Sequence, residues 1–273
     1  MSMSRDSYRT VRTPDGLDLA GTLTEPDGRA RRAVLLVQGA SVTREEGGFF
    51  TRLAAGLAEA DIASLRADLP GHGESEGRQE DLTLFALLNV IRAGIEQLSG
   101  AVPGVRTSLA AASFSGGVAA YYAAKRPADV ERLVLFNPLI DYRGRFIEEK
   151  SAWSPEGYLD DEGAADLKRQ GYLGHGPGFR LGRALLNEAF WFEARENLPH
   201  IAAPTLVVHG SADTFVPVES SQAADRELVC EHRLLQLDGA QHGFAVHDDP
   251  EYADPRTRAW QQQVIREVRE WLR

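Results

Sequence analysis

Short apolar runs alternate along this chain with segments whose apolar residues recur every three to four positions. Near-continuous apolar runs of four to eight residues are typical of parallel strands that are covered on both faces. The intervening helical periodicity predicts the α/β class, with a mostly parallel central sheet and helices on both faces. The predicted strands are residues 33–38, 62–68, 106–113, 132–137, 205–209 and 233–237.

Two further segments complete the predicted core. Residues 8–24 hold two short alternating stretches around Thr13-Pro14-Asp15-Gly16, whose proline and glycine favour a turn. We therefore expect an antiparallel hairpin at one edge of the sheet. The last segment carries an apolar stripe at helical spacing, which predicts a helix that packs on the sheet. Its members are Trp260, Val264, Val268 and Trp271.

Residues 142–200 interrupt this alternation. At about 59 residues, the segment is far longer than an ordinary connection between neighbouring elements, so it must carry structure of its own. Residues 171–181 favour a small hairpin, and residues 183–193 have helical character. We expect an inserted cap over residues 142–200 and an α/β core built from residues 1–141 and 201–273.

Composition excludes several classes of function. The 273 residues include 40 acidic and 30 basic side chains, a net charge of −10 that disfavours nucleic acids and anionic membranes. Cys230 is the only cysteine, so neither an internal disulfide nor a cysteine metal cage can form. The first ten residues are polar, and no apolar run approaches the roughly 18 residues of a membrane span. We expect a cytoplasmic protein.

The sharpest local signal lies at residues 112–117, between a predicted strand and a predicted helix. Small residues two positions before and after a serine permit the strained turn that exposes a nucleophilic hydroxyl, as in the pattern G-x-S-x-G. Ser113 and Gly117 flank Ser115 at these positions. The pattern predicts Ser115 as a nucleophile, with a serine-rich and glycine-rich turn without chemistry as the alternative.

A serine hydroxyl needs a base, and the base needs an acid that orients it. His242 follows the last predicted strand and Asp213 follows the strand before it. The order Ser115, Asp213, His242 is the one expected for a nucleophile on such a turn, and all three lie at carboxyl ends of strands. His247 is the rival base and Asp238 the rival acid.

Acyl transfer also needs donors for a developing oxyanion. One backbone N–H usually follows the nucleophile, and another comes from an early loop at the end of a strand. Gly116 and Ala40 are the candidates at these two places. A simple turn at Gln38 and Gly39 is the alternative for the early loop.

Five segments in this order together resemble the α/β-hydrolase superfamily over nearly the whole chain. They are Gln38-Gly39-Ala40, residues 68–75, the turn at Ser115, the loop of Asp213 and the loop of His242. Within this superfamily, the chain is similar to bacterial esterases of the cinnamoyl or feruloyl type, because residues 68–75 match their segment D-x-x-G-x-G-x-S. The resemblance implies a catalytic triad, an oxyanion hole made by two N–H groups, and a cap over an acyl pocket. The residues implied are Ser115, Asp213, His242, Ala40 and Gly116.

Two positions depart from the family pattern. Gln38 stands where the family usually has histidine, and Ser113 stands where it usually has glycine. The first departure changes hydrogen bonding behind the oxyanion hole, and the second tightens the turn at the nucleophile. Asp68, the acid of the family-like segment, is expected to cap turn amides and so to be structural.

The expected substrate is a small-molecule ester or thioester, with no metal or organic cofactor. Phe114, Trp153 and Trp191 are predicted to line an apolar pocket for an aromatic or medium-length acyl group, although ordinary packing explains the cap aromatics equally well. Thioester hydrolysis or acyl transfer in biosynthesis remains an alternative, as does a binding protein that has lost turnover. A homodimer is left open.

Overall fold

The computed structural model describes residues 4–148, 159–175, 178–247, 249 and 251–273. Eight strands form the central sheet and two form a small separate one. The strands are β1 Ser4–Arg12, β2 Asp18–Pro26, β3 Arg32–Val37, β4 Ile62–Ala67, β5 Thr107–Ala112, β6 Leu133–Phe136, β7 Tyr172–Gly174, β8 Arg180–Gly182, β9 Thr205–Gly210 and β10 His232–Leu237.

The central sheet has the order β1-β2-β4-β3-β5-β6-β9-β10. Its strands from β4 to β10 pair in parallel, whereas β2 is antiparallel to both β1 and β4. The structure confirms the predicted edge hairpin and the six predicted strands, whose ends agree to within one residue. The α/β class is confirmed.

Helices cover both faces of this sheet. Helices α1 and α7 pack on one face, and α2, α3 and α6 pack on the other. Strand β3 is apolar from Ala33 to Val37 because both of its faces are covered, with Leu35 on the α2 side and Leu36 on the α1 side. None of the helices in the described part of the chain is long and apolar enough to span a membrane. The helices are α1 Phe49–Ala58, α2 Leu84–Ala101, α3 Gly116–Lys125, α4 Asp161–Gln170, α5 Arg183–Trp191, α6 Val218–Glu227 and α7 Pro255–Trp271.

The long segment between β6 and β9 carries its own elements. Strands β7 and β8 form the predicted antiparallel hairpin, and α5 forms the predicted helix. The Glu188 carboxylate accepts the N–H of Leu84 at 2.5 Å, which caps α2, and the backbone of Gly182 lies against Glu80. These contacts hold the segment against the core. The division into a core and an inserted cap over residues 142–200 stays a prediction.

Candidate active site

Ser113 occupies the sharp turn at the carboxyl end of β5. Its φ is +50°, in the left-handed region that residues with a side chain rarely adopt. The Ser113 carbonyl accepts N–H groups from Gly116 and, at 2.9 Å, from Leu139, and these bonds fix the turn. The Ser113 side chain remains partly exposed. This is the strand, turn and helix geometry that presents a nucleophile.

Glycines after the turn let α3 approach the segment that follows β6. A Cβ added to Gly116 would lie 2.5 Å from Cβ of Pro138, and one added to Gly117 would lie 2.6 Å from Cε2 of Tyr142. Neither position tolerates a side chain without displacing its neighbour. The glycines at residues 116 and 117 therefore serve close packing behind the turn.

His242 joins Ser113 to Asp213. Its Nε2 lies 3.0 Å from Oγ of Ser113, and its Nδ1 lies 2.6 Å from Oδ2 of Asp213. Asp213 follows β9 and His242 follows β10, so both reach the same edge of the sheet as Ser113. An ionised carboxylate only accepts, so Nδ1 carries the proton and Nε2 is free to accept the Ser113 hydroxyl.

Asp213 is held ionised by its surroundings. Burial of the carboxyl would raise its pKa, but hydrogen bonds from His209, His242 and the Val216 N–H outweigh burial and hold the pKa well below its ordinary value. Oδ1 accepts N–H groups from Phe215 at 2.8 Å and Val216 at 3.0 Å. The acid is therefore fixed in orientation and in charge.

His209 is a second histidine at this acid, and sequence analysis missed it. Its fully buried ring places Nε2 2.9 Å from the Val216 carbonyl and 3.3 Å from Oδ2 of Asp213. A carbonyl only accepts, so Nε2 carries the proton, and Nδ1 accepts the Ser221 hydroxyl at 2.7 Å. The spacing of four residues between His209 and Asp213 was the available signal.

The Ser115 side chain does not reach His242, as the sequence pattern predicted it would. Its Oγ is fully buried and donates to the Gln38 carbonyl at 2.5 Å, at the start of α3 and away from His242. The structure brings Ser113 to the base instead, which corrects the prediction by two positions. The predicted strand extended through residue 113, although β5 ends at Ala112 and the turn begins immediately.

Gly116 is also displaced from its predicted role. Its N–H donates to the Ser113 carbonyl within the turn and is already used. The N–H that follows Ser113 belongs to Phe114. Among the described residues, the N–H groups of Phe114 and Ala40 have no acceptor. A Cβ added to Gly39 would lie 3.1 Å from Cβ of Ser113, so the loop that carries Ala40 lies against the turn.

Hydrogen bonds fix this early loop from behind. Nε2 of Gln38 donates to the Val42 carbonyl at 2.5 Å, while its buried Oε1 has no partner within the described ranges. The Ser41 N–H donates to Nε2 of His72 at 3.3 Å. Burial lowers the pKa of His72, which keeps its ring neutral and able to accept. The Gln38 side chain therefore links the beginning of this loop to Val42.

Asp68 has the structural role that was predicted for it. Its buried carboxylate accepts the N–H groups of Arg44 at 2.6 Å and Glu74 at 3.0 Å, and it pairs with the Arg44 guanidinium. It joins the segment after β4 to the loop after β3. The prediction that Asp68 caps turn amides is confirmed.

Aromatic rings lie behind Ser113, although not all of those predicted. Phe114 is buried and packs edge to face against Phe179 at 5.3 Å and Phe146 at 6.1 Å between ring centroids. Trp191 is 79% exposed at the end of α5, so the structure does not enclose it in a pocket. Trp153 lies outside the described residues.

Phe215 is a further aromatic at the site, and sequence analysis did not single it out. Its ring lies 5.4 Å from the His242 ring at an interplanar angle of 31°, and the residue is 54% exposed. Its N–H binds Asp213, so the backbone bond that orients the acid also places this ring beside the base. Phe215 therefore lies beside His242 with about half of its surface exposed to solvent.

The strand order and the Ser113, His242 and Asp213 arrangement define an α/β-hydrolase fold. Residues 28–156 match the sequence model of a family described as serine aminopeptidase, S33. Est1E from Butyrivibrio proteoclasticus, solved with ferulic acid bound, has 22% sequence identity and a TM-score of 0.74, with 96% of this chain and 99% of that chain covered. The predicted resemblance to feruloyl esterases is confirmed for the fold.

Other solved structures share the fold. A monoacylglycerol lipase from Paleococcus ferrophilus has 22% identity and a TM-score of 0.66, with 93% of this chain and 98% of that chain covered. A dienelactone hydrolase from Anabaena variabilis has 20% identity and a TM-score of 0.65, with 98% and 97% covered. No curated protein matches the sequence.

Proposed function

We propose that this protein is a serine hydrolase that cleaves a carboxylic ester through an acyl-enzyme on Ser113. The observation that carries the proposal is the 3.0 Å contact between Oγ of Ser113 and Nε2 of His242. Asp213 bonds the other ring nitrogen of His242 at 2.6 Å, which completes the relationship of nucleophile, base and orienting acid.

Acylation begins when Nε2 of His242 takes the proton of the Ser113 hydroxyl. Oγ forms a bond to the ester carbonyl carbon, and the carbonyl oxygen becomes an oxyanion. We assign the N–H groups of Ala40 and Phe114 to that oxyanion, because both have no acceptor among the described residues and flank Ser113. The imidazolium then protonates the alcohol oxygen as the carbon–oxygen bond breaks.

Deacylation reverses these roles. His242 takes a proton from water, and the resulting hydroxide attacks the acyl carbon. The imidazolium returns the proton to Oγ of Ser113 as the carboxylic acid leaves. Asp213 stays ionised throughout and stabilises the imidazolium, consistent with its strongly lowered pKa.

The proposed acyl group is aromatic or of medium length. The buried rings of Phe146 and Phe179 pack against Phe114, the residue that follows Ser113 in the turn. Apolar and aromatic walls favour acyl groups of the same kind. Ferulic acid, an aromatic acid, is the ligand bound to the structurally similar Est1E. Hydroxycinnamoyl esters are therefore the first substrates to test.

The test compares p-nitrophenyl esters of increasing chain length with methyl hydroxycinnamates. Ser113→Ala should lower kcat/KM by at least ~10³, because only binding and oxyanion stabilisation remain. Ser115→Ala is the matched control, since it deletes the same atom two residues away and should retain turnover. A fully active Ser113→Ala variant, or activity lost only in Ser115→Ala, would contradict the proposal.

Two other classes of substrate test whether the protein has an activity other than ester hydrolysis. Acyl thioesters test the thioesterase or acyltransferase alternative, and amino-acid p-nitroanilides test the peptidase class named by the matching family. Turnover of thioesters alone, dependent on Ser113, would reassign the substrate but retain the triad. Turnover of anilides alone would reassign the reaction to peptide-bond hydrolysis.

A further inference from the structure

Glu46 is an acidic residue near the candidate active site. The proposed mechanism does not use it. Its Oε2 accepts the N–H of Gly39 at 2.9 Å. Gly39 contacts Ser113 and directly precedes Ala40, the proposed oxyanion donor. Glu46 also adopts a φ of +46°, a strained conformation for a residue with a side chain. The residue with this strained backbone, Glu46, is therefore the one whose side chain binds the loop of the proposed oxyanion donor.

The Glu46 carboxyl group is enclosed although the residue as a whole is partly exposed. Burial raises its pKa to about 7, opposed by the Gly39 hydrogen bond and by attraction to His242. Tyr252 closes the far side, because its ring fills the space beside Gly47 and its hydroxyl would lie 2.5 Å from a Cβ added to Gly243. The same ring therefore packs beside Glu46 and beside the His242 loop.

Two titratable groups face Glu46 from other elements. His242 lies on the loop after β10, and Tyr252 lies before α7, where burial, together with the nearby Glu46 charge, raises its pKa to about 12. No lysine or arginine pairs with Glu46 in the described part of the chain. Its neighbour Glu45 pairs instead with Arg44 and Arg66. The Glu46 charge is therefore not neutralised by a basic side chain of the described residues, and it is attracted by His242.

We propose that Glu46 is a positioning residue of the active site, which holds the Ala40 N–H in register with Ser113 and whose negative charge stabilises the His242 imidazolium. This inference rests on the proposed function. Both effects are largest in the transition state, when the oxyanion and the imidazolium exist together. Glu46 thus contributes to kcat more than to KM.

The test separates the charge from the hydrogen bond. Glu46→Gln keeps an oxygen for the Gly39 N–H but removes the charge, and should lower kcat several-fold with KM nearly unchanged. The acid limb of kcat/KM should move to lower pH, because the imidazolium is no longer stabilised by the Glu46 charge. Glu46→Ala removes both and should lower kcat by ~10².

Glu45→Gln is the matched control, since it removes the same charge from the adjacent residue and should leave the acid limb in place. An unchanged kcat and an unmoved acid limb in Glu46→Gln would overturn the proposal. The rate at which a fluorophosphonate probe labels Ser113, measured against pH, gives the same test without an ester substrate. Absent ester turnover would therefore remove the proposed function without deciding the role of Glu46.

The melting temperatures of the wild type and Glu46→Gln provide a second measurement, which distinguishes a role of Glu46 in the site from a role in folding. A carboxyl whose pKa is raised by folding destabilises the protein as pH rises from its ordinary value of 4.5 through about 7. Glu46→Gln should therefore melt at a higher temperature than the wild type by an amount that grows between pH 5 and pH 8. A variant destabilised equally at every pH would show that Glu46 only supports the fold.

Discussion

The hydroxyl of Ser115 donates a 2.5 Å hydrogen bond to the carbonyl of Gln38, which ties the start of α3 to the loop after β3. That loop carries Gly39 and Ala40. Ser113 and Ser115 therefore have different partners two residues apart, since the Ser113 hydroxyl contacts His242 and the Ser115 hydroxyl bonds to the backbone of this loop.

Ser115→Ala should cost about 1 to 2 kcal/mol of unfolding free energy, because the buried Gln38 carbonyl loses a donor. Catalysis should persist at a reduced rate. Ser64→Ala is the control, since the Ser64 hydroxyl is buried without a hydrogen-bond partner among the described residues and its removal should cost little. Equal destabilisation of the two variants in urea unfolding would contradict this account.

Gly39→Ala should lower kcat about tenfold while the protein stays folded. The added methyl would lie 3.1 Å from Cβ of Ser113, so the loop must shift by a few tenths of an ångström, which misaligns the oxyanion donor. Gly28→Ala is the control, because nothing lies within 4 Å of its added Cβ. Steady-state kinetics should show the loss in Gly39→Ala alone; an unaffected kcat would indicate that the loop is not part of the site.

Asp213→Asn should lower kcat by ~10⁴, because the histidine loses its orienting acid. It should also change the dependence of stability on pH. A carboxyl whose pKa is lowered by folding stabilises the protein above its ordinary value of 3.8, and this contribution disappears as pH falls below that value.

Urea unfolding of both proteins between pH 3 and pH 7 measures the effect. The wild type should be more stable by on the order of 2 kcal/mol above pH 5, and the difference should shrink below about pH 4. A difference that stays constant down to pH 3 would show that the Asp213 charge contributes nothing to stability.

Phe215→Ala should raise KM several-fold for aryl esters and much less for the methyl ester of the same acid. The Phe215 ring lies beside the His242 imidazole. In the proposed mechanism His242 protonates the leaving alcohol, which would place Phe215 on the alcohol side of the scissile bond. Phe85→Ala is a suitable control, since Phe85 is 64% exposed in the first turn of α2. Equal effects on aryl and methyl esters would exclude this assignment.

The fold was predictable because its signals are periodic. Apolar runs on β3 and β5 are buried on both faces, and the turn residues of the edge hairpin mark its reversal. Loops that follow parallel strands meet at one edge, so Asp213 and His242 could be paired before any geometry was known.

The serine that contacts His242 was harder to predict, because residues 111–117 contain small residues at nearly every position. Two overlapping patterns fit, one centred on Ser113 and one on Ser115, and only the backbone at the end of β5 distinguishes them. No local pattern identifies Glu46, and His209 has only its spacing of four residues from Asp213. Their roles depend on which backbone groups and carboxylates the folded loops bring against them.

Labelling by a fluorophosphonate probe determines which serine is the nucleophile. Ser113 and Ser115 lie in one tryptic peptide, residues 107–125, so fragment ions must locate the added mass. If Ser113 is the nucleophile, the wild type and Ser115→Ala will be labelled on Ser113 and Ser113→Ala will not be labelled. Label on Ser115, or labelling of Ser113→Ala at the wild-type rate, would contradict this prediction.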